Sequence, residues 1–319
     1  MELKVVFAGT GGSAPTARRG LPAILVAAGG DRLLIDCGEG TQRQLLRSVG
    51  LPDLDAVFIT HFHADHWLGL PGMLKTFDLR AREKPLAVYG PAGLKLHLDA
   101  LRGVLGRTRY PLDVVELDRY DEVGFDGYEI HCFPNDHRMT GVGYALIEDD
   151  RPGRFDPEEA VRLGVRPGPD FGRLQMGETV DGVAPEQVIG EDRDGRRIVF
   201  SGDTRPCQEV LEHARDADLL VHEATFTDSE LDRARDTGHS TARQAAEIAR
   251  DAEVGLLALT HLSTRYFPRE VRDEARETFA ATVVPRDFDQ IDIPFPERGA
   301  PELVKAAFDP PPEGAGSTA

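Results

Sequence analysis

Short apolar runs, each closed by a glycine-rich turn or by an acid or histidine, recur along the whole chain. Val5 to Ala8 leads into Gly9-Thr10-Gly11-Gly12, while Ala23 to Ala27 and Leu33 to Ile35 lead to Asp36-Cys37-Gly38. Ala56 to Thr60 stops at His61, Tyr128 to Phe133 at Asp136-His137, Arg197 to Phe200 at Gly202-Asp203, Leu219 to Val221 at His222-Glu223, and Leu256 to Thr260 at His261. Runs of this length and composition predict buried strands. Between them, helical spacing runs over Gly40 to Val49, Leu68 to Leu79, Ala92 to Leu101, Pro206 to Arg215, Thr241 to Asp251 and Pro268 to Ala280. Strands and helices alternate without an internal repeat, so the expected class is α/β, with its polar candidates at strand ends, where layered folds place active sites.

Two stretches break the pattern. From about Asp149 to Gly190 the chain carries Pro152-Gly153 and Pro167-Gly168-Pro169, and only Pro157 to Leu163 has helical character. This predicts an inserted, flexible arm. The end, from Pro310-Pro311-Pro312 to Ala319, has the composition of a disordered tail. The expected organisation is one catalytic domain over 1–308, including the protruding substrate-binding arm at 149–190, followed by a disordered tail at 309–319.

The segment His61-Phe62-His63-Ala64-Asp65-His66 places four potential metal ligands in six residues. In extended backbone His61 and His63 share a side, and the turn that follows carries Asp65 and His66 toward a second position. Imidazole with carboxylate and no neighbouring cysteine fits a catalytic rather than a closed structural metal site. Other strand ends supply partners: His61, His63, His137 and Asp203 for one cation; Asp65, His66, Asp203 and His261 for another, with Asp203 shared. Paired cations hold a hydroxide, orient a phosphodiester and neutralise charge on its oxygens. The expected cofactor is two Zn²⁺ per subunit, with Mn²⁺ as the alternative. Gly9-Thr10-Gly11-Gly12-Ser13 matches no nucleotide-binding fingerprint and is expected to be a tight turn at the mouth of the site. Arg18 and Arg19 just beyond it are candidate contacts to an anionic substrate.

Composition narrows the setting. A chain of 319 residues, 40% hydrophobic, supports a substantial core. It has no apolar run of membrane-spanning length and no signal-peptide core, which predicts a cytoplasmic protein with no membrane partner. Three scattered cysteines, Cys37, Cys132 and Cys207, fit reduced thiols, with Cys37 a packed residue. Against 55 acidic residues stand 37 basic ones, giving a net charge of −18, and lysine occurs only at 4, 75, 84, 95 and 305. An acidic, lysine-poor surface suits concentrated salt and predicts a halophilic setting. It lacks the overall basic footprint of a nucleic-acid-binding protein.

The motif His61-x-His63-x-Asp65-His66 resembles the signature of the metallo-β-lactamase superfamily. Its flanks are similar to the ribonuclease Z family, the short-form tRNA 3′-processing endonucleases, over about residues 1 to 295. Asp36-Cys37-Gly38-Glu39-Gly40-Thr41-Gln42-Arg43-Gln44 resembles the segment before the metal motif, and His66-Trp67-Leu68-Gly69-Leu70-Pro71-Gly72 its continuation. His222-Glu223-Ala224-Thr225, His239-Ser240-Thr241 and Arg166-Pro167-Gly168-Pro169 are similar to further family motifs, the last in the tRNA-gripping arm. The resemblance implies an αβ/βα sandwich of two mixed sheets, a homodimer, and a precursor tRNA substrate cut after the discriminator base to leave a 3′-hydroxyl and a 5′-phosphate. It implies the ligand set above, Asp65 orienting or deprotonating the attacking water, and His239, held by Glu223, as the acid for the leaving oxygen. His222 is expected just behind the ligands. Arg166, Gly168, Pro169 and Arg173 are expected to contact tRNA, although the arm has five arginines against nine acids between Asp149 and Glu186. A superfamily hydrolase of small phosphodiesters or esters is the alternative, and it has no use for a long arm.

Overall fold

The computed structural model describes residues 1–307, so the expected tail at 309–319 lies outside the described residues. The chain opens with β1 (Leu3–Gly9), β2 (Ala23–Ala28), β3 (Asp31–Ile35), β4 (Ala56–Phe58), β5 (Leu86–Gly90) and β6 (Leu112–Glu116). It continues with β7 (Glu122–Phe125), β8 (Tyr128–Pro134), β9 (Val142–Glu148), β10 (Arg197–Phe200), β11 (Leu219–Glu223), β12 (Leu256–Thr260) and β13 (Thr282–Val283), and closes with β14 (Gln290–Asp292) and β15 (Glu302–Val304). The helices are α1 (Thr41–Ser48), α2 (Ala64–Trp67), α3 (Gly69–Leu79), α4 (Leu94–Ala100), α5 (Arg102–Leu105), α6 (Pro157–Arg162), α7 (Pro169–Gln175), α8 (Gln208–His213), α9 (Leu231–Thr237), α10 (Ala242–Asp251) and α11 (Pro268–Arg276).

The strands form an eight-stranded sheet, β15-β14-β1-β2-β3-β4-β5-β6, and a seven-stranded sheet, β13-β12-β11-β10-β9-β8-β7. Both are mixed: β3 to β6 run parallel and β1 to β3 antiparallel, while β10 to β13 run parallel. With flanking helices they make the expected αβ/βα sandwich. Parallel strands require crossovers, which helices supply, and those crossovers bring consecutive strand ends to one edge. Leu45 of α1 and Leu70, Met73, Leu74 and Phe77 of α3 are buried against Val6, Leu25, Leu34 and Val57 of the first sheet. Full burial of such side chains contributes roughly 1.5–3 kcal/mol each.

The chain divides into two compact units. The first holds residues 1–123, 130–146 and 197 onward; the second holds 124–129 and 147–196. The second unit covers the stretch expected as an inserted arm, and it carries a small core of its own. Ala160, Val165, Leu174, Val180, Val183 and Val188 are buried together, with Phe155, Leu163, Phe171 and Ile189 against them. These residues stand singly between glycines, prolines and charges, so no periodicity announces the cluster. α6 falls where expected, with Asp156 capping Glu158 and Glu159, whereas α7 was not expected.

Candidate active site

The site begins where β4 ends. Asp36, just past β3 and in left-handed backbone at φ 58°, accepts the Thr60 backbone N–H at 2.8 Å, the Thr60 hydroxyl at 2.9 and 3.0 Å, and His66 Nδ1–H at 2.7 Å. One carboxylate therefore fixes both Thr60, at the exit of β4, and the His66 ring six residues farther on. His63 is the N-cap of α2, so Asp65 and His66 lie on its first turn, with the His66 ring 4.1 Å from that of His61. The remaining candidates follow strands of the second sheet: His137 after β8, Asp203 after β10, His261 after β12.

The seven candidate side chains come together in one region: His61, His63, His137 and Asp203 form one cluster and Asp65, His66 and His261 a second, while Asp203 also groups with His239 and His261. His61 Nε2 is 3.0 Å from His63 Nδ1, His137 Nε2 is 3.1 Å from that same atom, and Asp203 Oδ2 is 3.7 Å from His61 Nε2. In the second group, His261 Nε2 is 3.3 Å from both Asp65 Oδ2 and Asp203 Oδ2, and His66 Nε2 is 3.3 Å from Asp203 Oδ2. Asp203 Oδ2, in the first cluster, is thus also within 3.3 Å of two rings of the second. In four rings the opposite nitrogen is occupied: His61 Nδ1 by Thr60 Oγ1 (3.0 Å), His66 Nδ1 by Asp36, His137 Nδ1 by the Gly238 carbonyl (2.7 Å) and His261 Nδ1 by Thr225 Oγ1 (2.8 Å). Such partners turn the free lone pairs inward. His66 Nε2 is buried with no hydrogen-bond partner among the described residues. An orphaned inward nitrogen beside shared carboxylates fits a divalent cation in each group.

The charge states of three rings and two carboxylates agree with that reading, whereas for His66 burial is outweighed by Asp203 and Asp36, which raise it well above the imidazole range. Burial holds His61, His63 and His137 below the usual imidazole range, the neutral form a ligand needs. Burial works against the Asp203 charge, yet His261, His66 and His61 outweigh it and keep the carboxyl well below the carboxylate range. Asp65 is likewise lowered, burial being overcome by the hydrogen bond from His261 and by the charges of His66 and His261.

Beside the ligands stands a hydrogen-bonded pair. Glu223, at the end of β11, accepts His239 Nδ1–H at 2.8 Å through Oε1, which also takes the Ser240 and Thr204 N–H groups at 3.1 and 3.2 Å. Its Oε2 accepts the Thr225 hydroxyl at 2.7 Å and N–H at 2.9 Å. Burial lowers His239, but the Glu223 charge and hydrogen bond, with Asp203, raise it to about 9. Thr241 caps α10 through the Gln244 N–H, so the loop serves both as helix start and as bearer of His239.

Other candidates sit elsewhere. Arg19 is half-buried and is held by Thr10 Oγ1 and the Pro285 carbonyl, so its guanidinium serves the fold. Arg18 is half-buried at the same turn. Arg166, Gly168 and Pro169 are exposed in the second unit, where Arg173 pairs with Asp170 and Glu178 at 3.3 and 2.8 Å. His222 is buried with Nδ1–H on the Glu223 carbonyl at 2.7 Å, and makes no hydrogen bond to a ligand among the described residues. His97 and His213 pack on Phe62 and Phe133. Burial pushes the Cys37 thiol up, as befits a packed residue.

Sequence reasoning did not single out Asp36, Thr60 and Thr225 as members of the site, nor Ser13, whose N–H reaches Asp65 Oδ2 at 2.7 Å. Asp36 and Thr225 stood inside motifs already quoted. Ser13 acts through its backbone, which side-chain chemistry does not advertise.

The pattern of the metallo-beta-lactamase superfamily matches residues 21–261. A ribonuclease Z of Haloferax volcanii is 48% identical over 306 residues, covering 92% of this chain and 96% of the relative. One of Myxococcus xanthus is 49% identical over 290 residues, covering 88% and 94%. Among solved structures, the short form of human tRNase Z superposes with a TM-score of 0.66 at 26% identity, covering 91% of this chain and 99% of that one.

Proposed function

We propose, from the premise that this chain belongs to the ribonuclease Z family of the metallo-β-lactamase superfamily, that it is the endoribonuclease removing the 3′ trailer from precursor tRNA. The cut falls after the discriminator base and leaves a 3′-hydroxyl on the tRNA and a 5′-phosphate on the trailer.

The observation that carries this reading is Asp203 Oδ2 lying between two ligand groups, with a separate acid–base pair beside them. His61, His63, His137 and Asp203 would hold one cation, and Asp65, His66, Asp203 and His261 the other. We assign both as Zn²⁺, for which mixed imidazole and carboxylate donors are suited, with Mn²⁺ as the alternative. When bound, such cations supply an activated water and neutralise charge on phosphate oxygens. Asp65, its Oδ2 fixed by Ser13, orients the attacking water. Glu223 holds His239 by its Nδ1–H, so Nε2 presents the proton that the leaving 3′ oxygen takes up. No covalent intermediate is needed.

The second unit, exposing Arg166, Gly168 and Pro169 on its own small core, is assigned as the arm that contacts tRNA. A homodimer is supported by exposed Leu46, Val49, Leu68 and Leu79 on or beside α1 and α3, which pack together. A net charge of −18 supports work in a saline cytoplasm, where affinity rests on local arginines and shape. No helix among the described residues is long and apolar enough to cross a membrane.

The test uses two variants and one deletion. His61→Ala and Asp203→Asn are expected to abolish cleavage of precursor tRNA; robust activity of either would contradict the site. Deleting 152–187 is expected to remove tRNA processing while a small phosphodiester is still turned over. Undiminished tRNA cleavage by that protein would contradict the arm's role.

A further inference from the structure

Arg138 follows His137 in the loop between β8 and β9 and is exposed. That loop lies against the turn bearing His239. A Cβ on Gly238 would stand 3.0 Å from Arg138 Cγ, 3.1 Å from Arg138 N and 3.1 Å from His137 Nδ1, and Gly238 is left-handed at φ 83°. The rings of His137 and His239 are 5.0 Å apart. The arginine stem is therefore seated on the residue preceding the proton donor, one residue from a ligand.

Its charge is uncommitted. Neighbouring Arg205 is bound to Asp136 at 2.9 Å and to the Arg235 carbonyl at 2.9 Å, so it serves the loop. Arg138 has no such carboxylate or carbonyl among the described residues, although the chain carries 55 acidic side chains. An exposed guanidinium left unpaired beside a phosphodiester-cleaving centre is suited to grip a phosphate bidentately.

We propose that Arg138 is a substrate-binding residue, whose guanidinium holds a backbone phosphate next to the one that is cut. The proposal rests on the RNA-cleaving reading above. It assigns to the first unit a phosphate contact separate from the arm, and gives a strongly acidic protein local purchase on RNA beside the scissile bond.

The experiment compares Arg138→Gln and Arg138→Lys with the unsubstituted protein, on precursor tRNA across a KCl series and on bis(p-nitrophenyl) phosphate. Arg138→Gln is expected to raise KM for precursor tRNA about tenfold, as loss of a charged phosphate contact does. The slope of log(kcat/KM) against log[KCl] should become shallower by about 0.7, the value for one phosphate on single-stranded nucleic acid. Arg138→Lys keeps the charge and should keep the slope while raising KM by a smaller factor. Turnover of the small diester, which has no neighbouring phosphate, should not change. An unaltered KM and slope in Arg138→Gln would overturn the proposal, and so would an equal loss on the small diester, which marks a structural role. Failure of the unsubstituted protein to cut precursor tRNA is a different result, and removes the RNA reading and this proposal together.

Discussion

The backbone N–H of Ser13 donates to Asp65 Oδ2 at 2.7 Å, the same oxygen that faces His261 Nε2 at 3.3 Å. The glycine-rich turn after β1 thus reaches across the site and fixes one carboxylate oxygen, with Ser13 itself in left-handed backbone at φ 63°. An Asp65 carboxylate held in this way offers its other oxygen in a defined direction.

Gly12 tests how closely that turn is fitted. A Cβ there would lie 2.5 Å from His261 Cε1 and Nδ1, and the ring is tied to Thr225 at 2.8 Å, so it cannot yield without losing that bond. Gly12→Ala is predicted to weaken cation binding by roughly 10- to 100-fold, as loss of a ligand-orienting contact does. Metal content after equilibrium dialysis reads this directly. Gly103→Ala, where an added Cβ meets nothing, is the control and should bind as the parent does.

Thr225 joins the ligands to the acid–base pair, its hydroxyl donating to Glu223 Oε2 while accepting from His261 Nδ1–H. Thr225→Val keeps the shape and strands both partners. Its kcat on precursor tRNA should fall roughly 10- to 100-fold, whereas Thr225→Ser should stay near the parent. Equal rates in the two variants would show that the hydroxyl plays no part.

Asp287 anchors the base of the same turn. It accepts Thr10 N–H and Oγ1–H at 3.1 and 2.6 Å through Oδ1, and Gly20 N–H and Gln44 Nε2–H at 2.6 Å each through Oδ2. Asp287→Asn would aim an amide N–H at donors, because Gln44 cannot turn over without leaving the Ala8 carbonyl. The expected cost is about 3 kcal/mol in urea unfolding at unchanged m-value. A loss below about 1 kcal/mol would mean the network rearranges freely.

Inside the second unit, Arg196 is buried and its guanidinium meets Glu148 at 2.6 Å through both carboxylate oxygens. Removing one partner of a buried pair leaves an uncompensated charge and costs roughly 3–5 kcal/mol, whereas replacing both with apolar side chains is near neutral. Glu148→Ala should therefore speed proteolysis and amide exchange within 147–196, and Glu148→Leu with Arg196→Met should restore most of the protection. Unchanged exchange in the single variant would contradict this.

How far the sequence spoke depends on the scale of the signal. β1 to β4 and β10 to β12 were legible because their apolar runs are continuous. β5, with the single run Leu86-Ala87-Val88-Tyr89, and β6, which interleaves Asp113, were too brief to stand out. The expected helix from Pro268 to Ala280 ends at Arg276, because Thr278 and Phe279 turn back on the Ala275 carbonyl to reach β13. The grouping of His61, His63, His137 and Asp203 was legible because each candidate ends a strand run or follows it closely. Two relations were not. Ser13 contacts Asp65 through backbone, and Arg19, expected at the substrate, is consumed by Thr10 and Pro285. Neither is written in residue type or spacing, since the first depends on how the turn after β1 meets α2 and the second on how it meets the loop before β14.

The central claim is that this metal-dependent site cuts precursor tRNA at a defined bond. End-group analysis of the products of a precursor tRNA, incubated with the zinc-loaded protein and with protein stripped by chelator, tests it most directly. The expected products are a tRNA cut once after the discriminator base with a 3′-hydroxyl and a trailer with a 5′-phosphate, lost on stripping and regained with Zn²⁺ or Mn²⁺. A 3′-phosphate or cyclic phosphate on the tRNA, or unchanged cleavage by the stripped protein, would contradict it.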